Sequence, residues 1–379
     1  MRLKLLFSFL MGAWLAAAPP VLFLSFDALG ASSFTSRTMP RLWKLSQEGK
    51  RGEGLPPFPS TTFNGHATLA TGCWPEHHGI VSNSFMEPGK GFVAYTSNAG
   101  LLQREPLWVA ATRSGVKSAV YHWPCATGPW EGVLPWRLED YKPGQADSLA
   151  MAFSEAALDE GAGLVMAYFS GMDEEGHMQG PDSQETTQKL KRTDDEVAPW
   201  LERMMASHPG LRVVLAADHG MAAMRARIHL PSLIKGCFTR IIVHGGSAYI
   251  YSKPGRTRAA KRRLQAAGLQ VWERAELPAE YHLGGNARVG DLIVQAPTGS
   301  WLAGASGPAA AKERLGRRGA HAYDSSRAAM RTWLVVLGDG RGDLGEVPIW
   351  DLAPSIAGWL GITWTVPPDG RPIGLKPPD

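Results

Sequence analysis

Residues 21–27 read VLFLSFD, an almost unbroken apolar run bounded by Pro20 and Asp27. A strand buried on both faces reads this way, because alternation shows only where one face meets water. In open α/β sheets ligands bind beyond the carboxyl ends of the strands. The run therefore predicts a buried parallel strand that delivers Asp27 to a site. Two further runs repeat the pattern: Leu164–Phe169 opens into SGMDEEGH, and Leu211–Ala217 runs into Asp218-His219-Gly220-Met221. Helical spacing falls between them, over 39–49, 105–114, 146–158 and 183–207, and residues 118–121 fit another strand. Thr332 to Leu337 returns as a core strand and Trp350 to Leu360 as a closing helix. Alternating strands and helices, with acidic residues at the strand ends, predict a doubly wound, mostly parallel α/β sheet flanked by helices.

The texture changes from about residue 222 to 319, where short strands, one basic helix and many glycines predict a smaller α+β insertion. The expected organisation is a leader over 1–18, a catalytic core over 19–221, the insertion over 222–319, the closing part of the core over 320–366 and a Pro/Gly-rich tail over 367–379. The leader, MRLKLLFSFLMGAWLAAA, has Arg2 and Lys4, an apolar run and small residues, which is the pattern of a secretory signal. It predicts export, periplasmic or secreted, with no stable membrane span after its removal. A net charge of +4 is too mild to argue for nucleic-acid wrapping. The basic run KPGRTRAAKRR over 253–263 lacks interleaved aromatics and reads as a solvated helix face. The three cysteines, Cys73, Cys125 and Cys237, allow either one bridge, for which Cys73 with Cys125 is the candidate pair, or three buried thiols.

The chemistry gathers round PSTTFNGHATLATGCWPEHHGIVSN, residues 59–83. A Pro-rich loop delivers Thr61 and Thr62 to a helix-compatible run that Gly72 ends. A hydroxyl at a helix start either caps it or sits where unpaired amides favour an anion. Asp27, the cluster Asp173 to His177, the pair Asp218-His219 and the loop histidine His321 add hard-metal donors. Carboxylates and imidazoles with no thiolate suit zinc and tolerate manganese. Each piece alone reads as a cap, a turn or a solvated pair. Their joint order, carboxylate, hydroxyl, D-x-x-G-H, D-H-G and loop histidine, reads as a two-ion site.

Four motifs carry a family resemblance: TFNGHATLATGCWPEHHGIVSN, YFSGMDEEGH, LAADHGM and GAHAYDSSRAAM. In this order they resemble the nucleotide pyrophosphatase/phosphodiesterase branch of the alkaline phosphatase superfamily, across nearly the whole chain. Departures fall at Asn64-Gly65, where the family has Pro-Asn, and at Ala322, where it has Gly. The resemblance implies an alkaline phosphatase-like fold and two Zn2+. One ion would be held by Asp173, His177 and His321. The other would be held by Asp27, Asp218 and His219, with the oxygen of Thr62, the nucleophile. Asn83 falls where the family hydrogen-bonds a phosphoryl oxygen. Phe63 and Tyr168 fall where it can sandwich a nucleobase; by their own chemistry they read equally as core aromatics. The implied activity is zinc-dependent cleavage of phosphodiester or pyrophosphate bonds in a small molecule, through a phosphothreonine. The alternatives are a phosphomonoesterase of the same superfamily and a phospholipase-C-like head-group phosphodiesterase. No basic residue lies in Ser60 to Thr71, which argues against the monoesterase. A C-x-P-x-R sulfatase motif is missing, since Cys73-Trp74-Pro75-Glu76-His77 lacks the Arg.

Overall fold

The structure is a computed structural model, and it describes residues 18–304 and 316–374. Residues 1–17 of the expected leader and 375–379 of the expected tail fall outside them. The central sheet has eight strands, in the spatial order Gly342–Pro348, Lys50–Leu55, Thr332–Leu337, Arg212–Ala216, Val21–Phe26, Leu164–Phe169, Ser118–Tyr121 and Arg137–Glu139. Val21–Phe26 lies in the interior, parallel to both neighbours, with Phe26 opposite Phe169 and Ser25 opposite Ala216. Thr332–Leu337 runs antiparallel to both of its neighbours.

Alternate positions of one strand feed two cores, as a pleated strand buried on both faces requires. Val21 and Phe23 pack with residues of the helices Thr62–Thr71, Leu107–Arg113 and Leu352–Leu360. Leu22, Leu24 and Phe26 pack with those of Pro40–Ser46, Ser148–Asp159 and Gln184–Ser207. This is the doubly wound arrangement the apolar runs predict. Each fully buried Leu or Val contributes about 1.5–3 kcal/mol relative to exposure. Helix Pro40–Ser46 makes no side-chain cap of its own. Instead the carboxylate of Asp194, on the long helix, accepts from the Arg41 and Leu42 amides at 2.9 and 2.7 Å.

The expected strands at Val21–Phe26, Ser118–Tyr121, Leu164–Phe169 and Thr332–Leu337 have the predicted bounds, and the expected run over 211–217 is the strand Arg212–Ala216. The helix expected over 39–49 stops at Ser46, and the chain turns at once into Lys50–Leu55. That strand, KRGEGL, lies between two others despite its charge and glycine content. A Cβ on Gly49 would stand 2.2 Å from the Val336 carbonyl oxygen, and one on Gly54 2.2 Å from Thr332 Oγ1. Those glycines are what let the strands approach.

Between the Arg212–Ala216 and Thr332–Leu337 strands the chain builds a smaller antiparallel sheet, in the order Phe238–Val243, Ser247–Ser252, Leu292–Gln295 and Gln270–Glu273. Helix Thr257–Ala266 buries Ala260 and Leu264 against it. The basic residues of that helix face solvent or local partners, as expected, with Arg263 donating to the Lys235 carbonyl. The tip joining the first two strands, His244-Gly245-Gly246, docks on the main body: the Gly246 amide donates to the His321 carbonyl at 2.8 Å.

The candidate bridge between Cys73 and Cys125 is corrected by the structure, in which all three cysteines are free and buried. Cys73 Sγ donates to the Thr71 carbonyl at 3.4 Å, and Cys125 lies inside the apolar core. Burial pushes the Cys73 thiol up to about 11.

Candidate active site

Three adjacent strand ends converge on one point of the sheet rim. Asp27 follows the interior strand directly, and its amide donates to the Phe169 carbonyl at 2.9 Å. Asp218 and His219 follow the neighbouring strand on one side. On the other side Leu164–Phe169 passes into the helix Gly171–Gln179. The D-x-x-G-H segment is thus helical. The four-residue spacing puts Asp173 and His177 on one face of that helix. Their Oδ1 and Nε2 atoms lie 3.5 Å apart.

The donors form two groups, Asp27 with Asp218 and His219, and Asp173 with His177 and His321. His219 Nε2 is 3.5 Å from Asp27 Oδ1 and 3.3 Å from Asp218 Oδ2. The groups are neighbours, since the His219 and His321 rings stack with centroids 3.9 Å apart. All three histidines are oriented in the same way. Nδ1 of His177 donates to the Gly319 carbonyl at 3.0 Å, that of His219 to Gly220 at 3.0 Å, and that of His321 to Ser60 at 2.9 Å. A carbonyl only accepts, so each Nδ1 carries the proton and each Nε2 presents a lone pair to the site.

This arrangement fits divalent cations. Asp27 Oδ1, Asp173 Oδ1 and Asp218 Oδ2 are buried and have no hydrogen-bond partner among the described residues. Buried carboxylate oxygens without partners are costly unless a cation completes them. Burial, then the neighbouring Asp218 and Asp173, push the Asp27 carboxyl well above its ordinary value. Burial acts in the same direction on Asp218, but His219 and His66 outweigh it and hold that carboxyl down to about 2. Burial, with His219 and His177 beside it, keeps the His321 imidazole well below its usual range, hence neutral as a ligand must be.

Thr62 is the first residue of helix Thr62–Thr71, after Thr61 in extended conformation. Neither threonine hydroxyl caps the helix: Thr61 makes no side-chain cap, and Thr62 Oγ1 lies 3.3 Å from His219 Nε2. The capping role falls to Asn83, whose Oδ1 accepts from the Phe63 amide at 2.8 Å. That bond leaves the Asn83 NH2 as the donor available to the cleft. Where the family has asparagine, Gly65 brings the helix flush against Asp218, since a Cβ there would stand 2.7 Å from the Asp218 carbonyl oxygen. His66, one position on, binds Ser25 Oγ at 2.9 Å and the Thr62 carbonyl at 2.8 Å, tying helix to sheet. Ala322 adopts φ 69°, a left-handed conformation that explains the family's glycine there. Its amide donates to the Ser60 carbonyl at 2.9 Å, fastening the His321 loop to the Thr62 loop.

The site opens into a cleft of about 400 Å³ that Thr62, Asn83, Asp173, His177 and His321 help to line. Three larger surface depressions, of about 570, 580 and 460 Å³, contain neither donor group. The cleft also contains residues that local sequence reasoning missed: Tyr95, His244, Trp301 and Arg317. The Ser60–Thr71 stretch holds no Lys or Arg, as read from the sequence, and Arg317 reaches the cleft from a different segment. The two proposed stacking aromatics stand differently. Phe63 is half-buried with its ring centroid 6.0 Å from that of Tyr95, which is 71% exposed. Tyr168 is only 7% exposed, donates its hydroxyl to Asp27, and meets the His66 ring edge-on. The open aromatic next to it is Tyr141, 43% exposed, at 6.2 Å between ring centroids.

Comparison with known proteins adds a family to this geometry. Residues 21–324 match the family model for type I phosphodiesterase / nucleotide pyrophosphatase. Human ectonucleotide pyrophosphatase/phosphodiesterase family member 7 is 24% identical over 94% of this chain and 86% of its own length. An uncharacterized pyrophosphatase/phosphodiesterase of Schizosaccharomyces pombe is 27% identical over 84% of this chain and 71% of its own. Among solved structures, murine ectonucleotide pyrophosphatase/phosphodiesterase 5 superposes with a TM-score of 0.83 at 21% identity, over 93% of this chain and 97% of that one. An inactive threonine-to-alanine variant of that murine protein, in complex with AMP, superposes equally well, also at 0.83.

Proposed function

The chain belongs to the type I phosphodiesterase / nucleotide pyrophosphatase family, and from that premise we propose a zinc-dependent hydrolase that cleaves phosphodiester or pyrophosphate bonds through a phosphothreonine at Thr62. The observation that carries this reading is the Thr62 hydroxyl 3.3 Å from His219 Nε2, at the junction of the two donor groups. A threonine hydroxyl is too weak an acid to ionise at neutral pH unaided. Two bound zinc ions would supply the Lewis acidity that offsets charge on the attacking and leaving oxygens.

Asp27, Asp218 and His219 would hold one ion, and Asp173, His177 and His321 the other. Thr62 Oγ1 forms a bond to phosphorus and releases its proton to water in the cleft. The bond from phosphorus to the leaving oxygen breaks, and its electron pair departs with that oxygen. Asn83, oriented by the Phe63 amide, donates to a non-bridging oxygen as charge builds on it. Water then displaces Thr62 from the opposite side, so the configuration at phosphorus is retained overall. Nucleotides are the first substrate class to test, because the murine neighbour holds AMP. Phe63, together with Tyr95 and Tyr141, supplies the open aromatic faces for a base, while Tyr168 orients Asp27. The reading also includes export, on the strength of the amino-terminal pattern. Among the described residues, no helix is long and apolar enough to cross a membrane.

One observation favours the monoesterase alternative, the Arg317 cation in the cleft. Zinc-loaded enzyme assayed on bis-p-nitrophenyl phosphate and p-nitrophenyl phosphate separates the two. We expect diester preference, loss of at least about a thousandfold in kcat with unchanged circular dichroism for Thr62→Ala, and an acid-stable phosphoryl adduct on the Thr62 peptide. Retained turnover in Thr62→Ala, or a strong monoester preference, would overturn the assignment.

A further inference from the structure

The cleft has a second wall that the two donor groups leave unused. A chain of neighbouring contacts, each measured from one residue to the next, connects it to Thr62. From Thr62 the series runs to His219 at 3.3 Å, to the stacked His321 ring at 3.9 Å, and to His177 at 5.0 Å between ring centroids. It continues to the Trp301 ring, 6.2 Å from that of His177, and to the Arg317 guanidinium, 5.3 Å above Trp301. Attack on phosphorus is in-line, so a leaving group departs away from Thr62, and His177, His244, Trp301 and Arg317 line the same cleft as Thr62.

Two independent features mark the wall as built for a ligand. Both ring nitrogens of His244 are buried without a hydrogen-bond partner among the described residues, and so is Trp301 Nε1. Each of these residues is more than nine-tenths buried. Orphaned polar groups of this kind call for a partner. The Gly245 turn holds them together: a Cβ there would lie 3.4 Å from Trp301 Cζ3, and the Leu302 amide donates to the Gly245 carbonyl at 2.8 Å. Arg317 adds a permanent cation. Indole N–H, imidazole N–H and guanidinium together are rich in donors, the complement of phosphate oxygens rather than of a neutral alcohol or a choline cation.

Resting on the reading of Thr62 given above, we propose that His244, Trp301 and Arg317 form a leaving-group subsite that selects substrates whose departing portion is itself a phosphate or pyrophosphate. The test holds the transferred group constant and changes the departing one: thymidine 5′-triphosphate, which releases pyrophosphate, against p-nitrophenyl thymidine 5′-monophosphate. Arg317→Met should lower kcat/KM for the triphosphate by about tenfold or more and for the aryl ester by less than about threefold, with Arg317→Lys recovering part of the loss. His244→Phe should act in the same direction. A binding readout free of turnover uses the Thr62→Ala background. There, adding Arg317→Met should raise the Kd of an α,β-methylene thymidine diphosphate and leave that of thymidine monophosphate unchanged. Equal losses on both substrates, or none on either, would overturn the subsite while leaving the Thr62 reading intact. So would a wild type that cleaves the aryl ester but not the triphosphate. A wild type that cleaves neither overturns both.

Discussion

The two donor groups differ in construction. Asp27, Asp218 and His219 are all buried and follow directly from the ends of paired strands, so sheet register fixes their spacing. Asp173, His177 and His321 come from a helix and a loop, and the Asp173 side chain is 21% exposed. Bonds from the histidines to the Gly319 and Ser60 carbonyls hold this second group in place, not a continuous ladder. The first group is a buried foundation beside Thr62, and the second lines the cleft.

The contrast breaks most directly in activity. Asp218→Asn should lower kcat/KM by about a thousandfold or more and Asp173→Asn by about a hundredfold, measured with saturating zinc. Equal losses would mean that burial does not distinguish the groups. Chelation sharpens the same point: dialysis against EDTA should remove metal in two phases, with one equivalent lost before the other. Metal counting against time checks this, and a single phase contradicts it.

Stability without metal separates the groups by size. The Asp27 carboxyl is raised by burial and by Asp218, so the folded chain binds a proton more tightly there than the unfolded chain. Metal-free protein should therefore lose stability as pH rises from the ordinary carboxyl range through the raised Asp27 value. Asp27→Asn should remove that slope and raise apo stability at neutral pH by about 1–3 kcal/mol, while Asp173→Asn shifts it by less than about 0.5. Urea melts across pH measure both. Tyr168→Phe, which removes the hydroxyl bonded to Asp27, should cost about tenfold in kcat with the fold unchanged. A small effect is also expected at Ala322, where substitution to Gly should stabilise by about 0.5–1 kcal/mol by relieving the left-handed backbone. A thermal melt showing destabilisation would contradict it.

What the sequence could reveal followed from what burial does to composition. Val21–Phe26, Leu164–Phe169 and Thr332–Leu337 are buried along their whole length and read plainly as apolar runs. Lys50–Leu55, Gly342–Pro348 and Arg137–Glu139 lie towards the sheet's edges, where charge and glycine hide the strand. The donor residues were legible because each sits next to a strong local signal, a strand end or a glycine-flanked histidine. His244, Trp301 and Arg317 carry no such signal. The docking of the smaller sheet's turn onto His321 brings His244 and Trp301 to the cleft, a long-range contact that no window of sequence contains. Arg317 lies four residues before His321 in a stretch with no motif of its own.

Gly65 bears on how reproducible the reaction distance is. With nothing between the helix backbone and Asp218, the helix is seated on the sheet by a hard van der Waals stop and not suspended by adjustable side chains. Thermal jostling can tilt the two together but cannot push them closer. The hydroxyl therefore meets its neighbour at a preset gap on every turnover, as a part does in a jig.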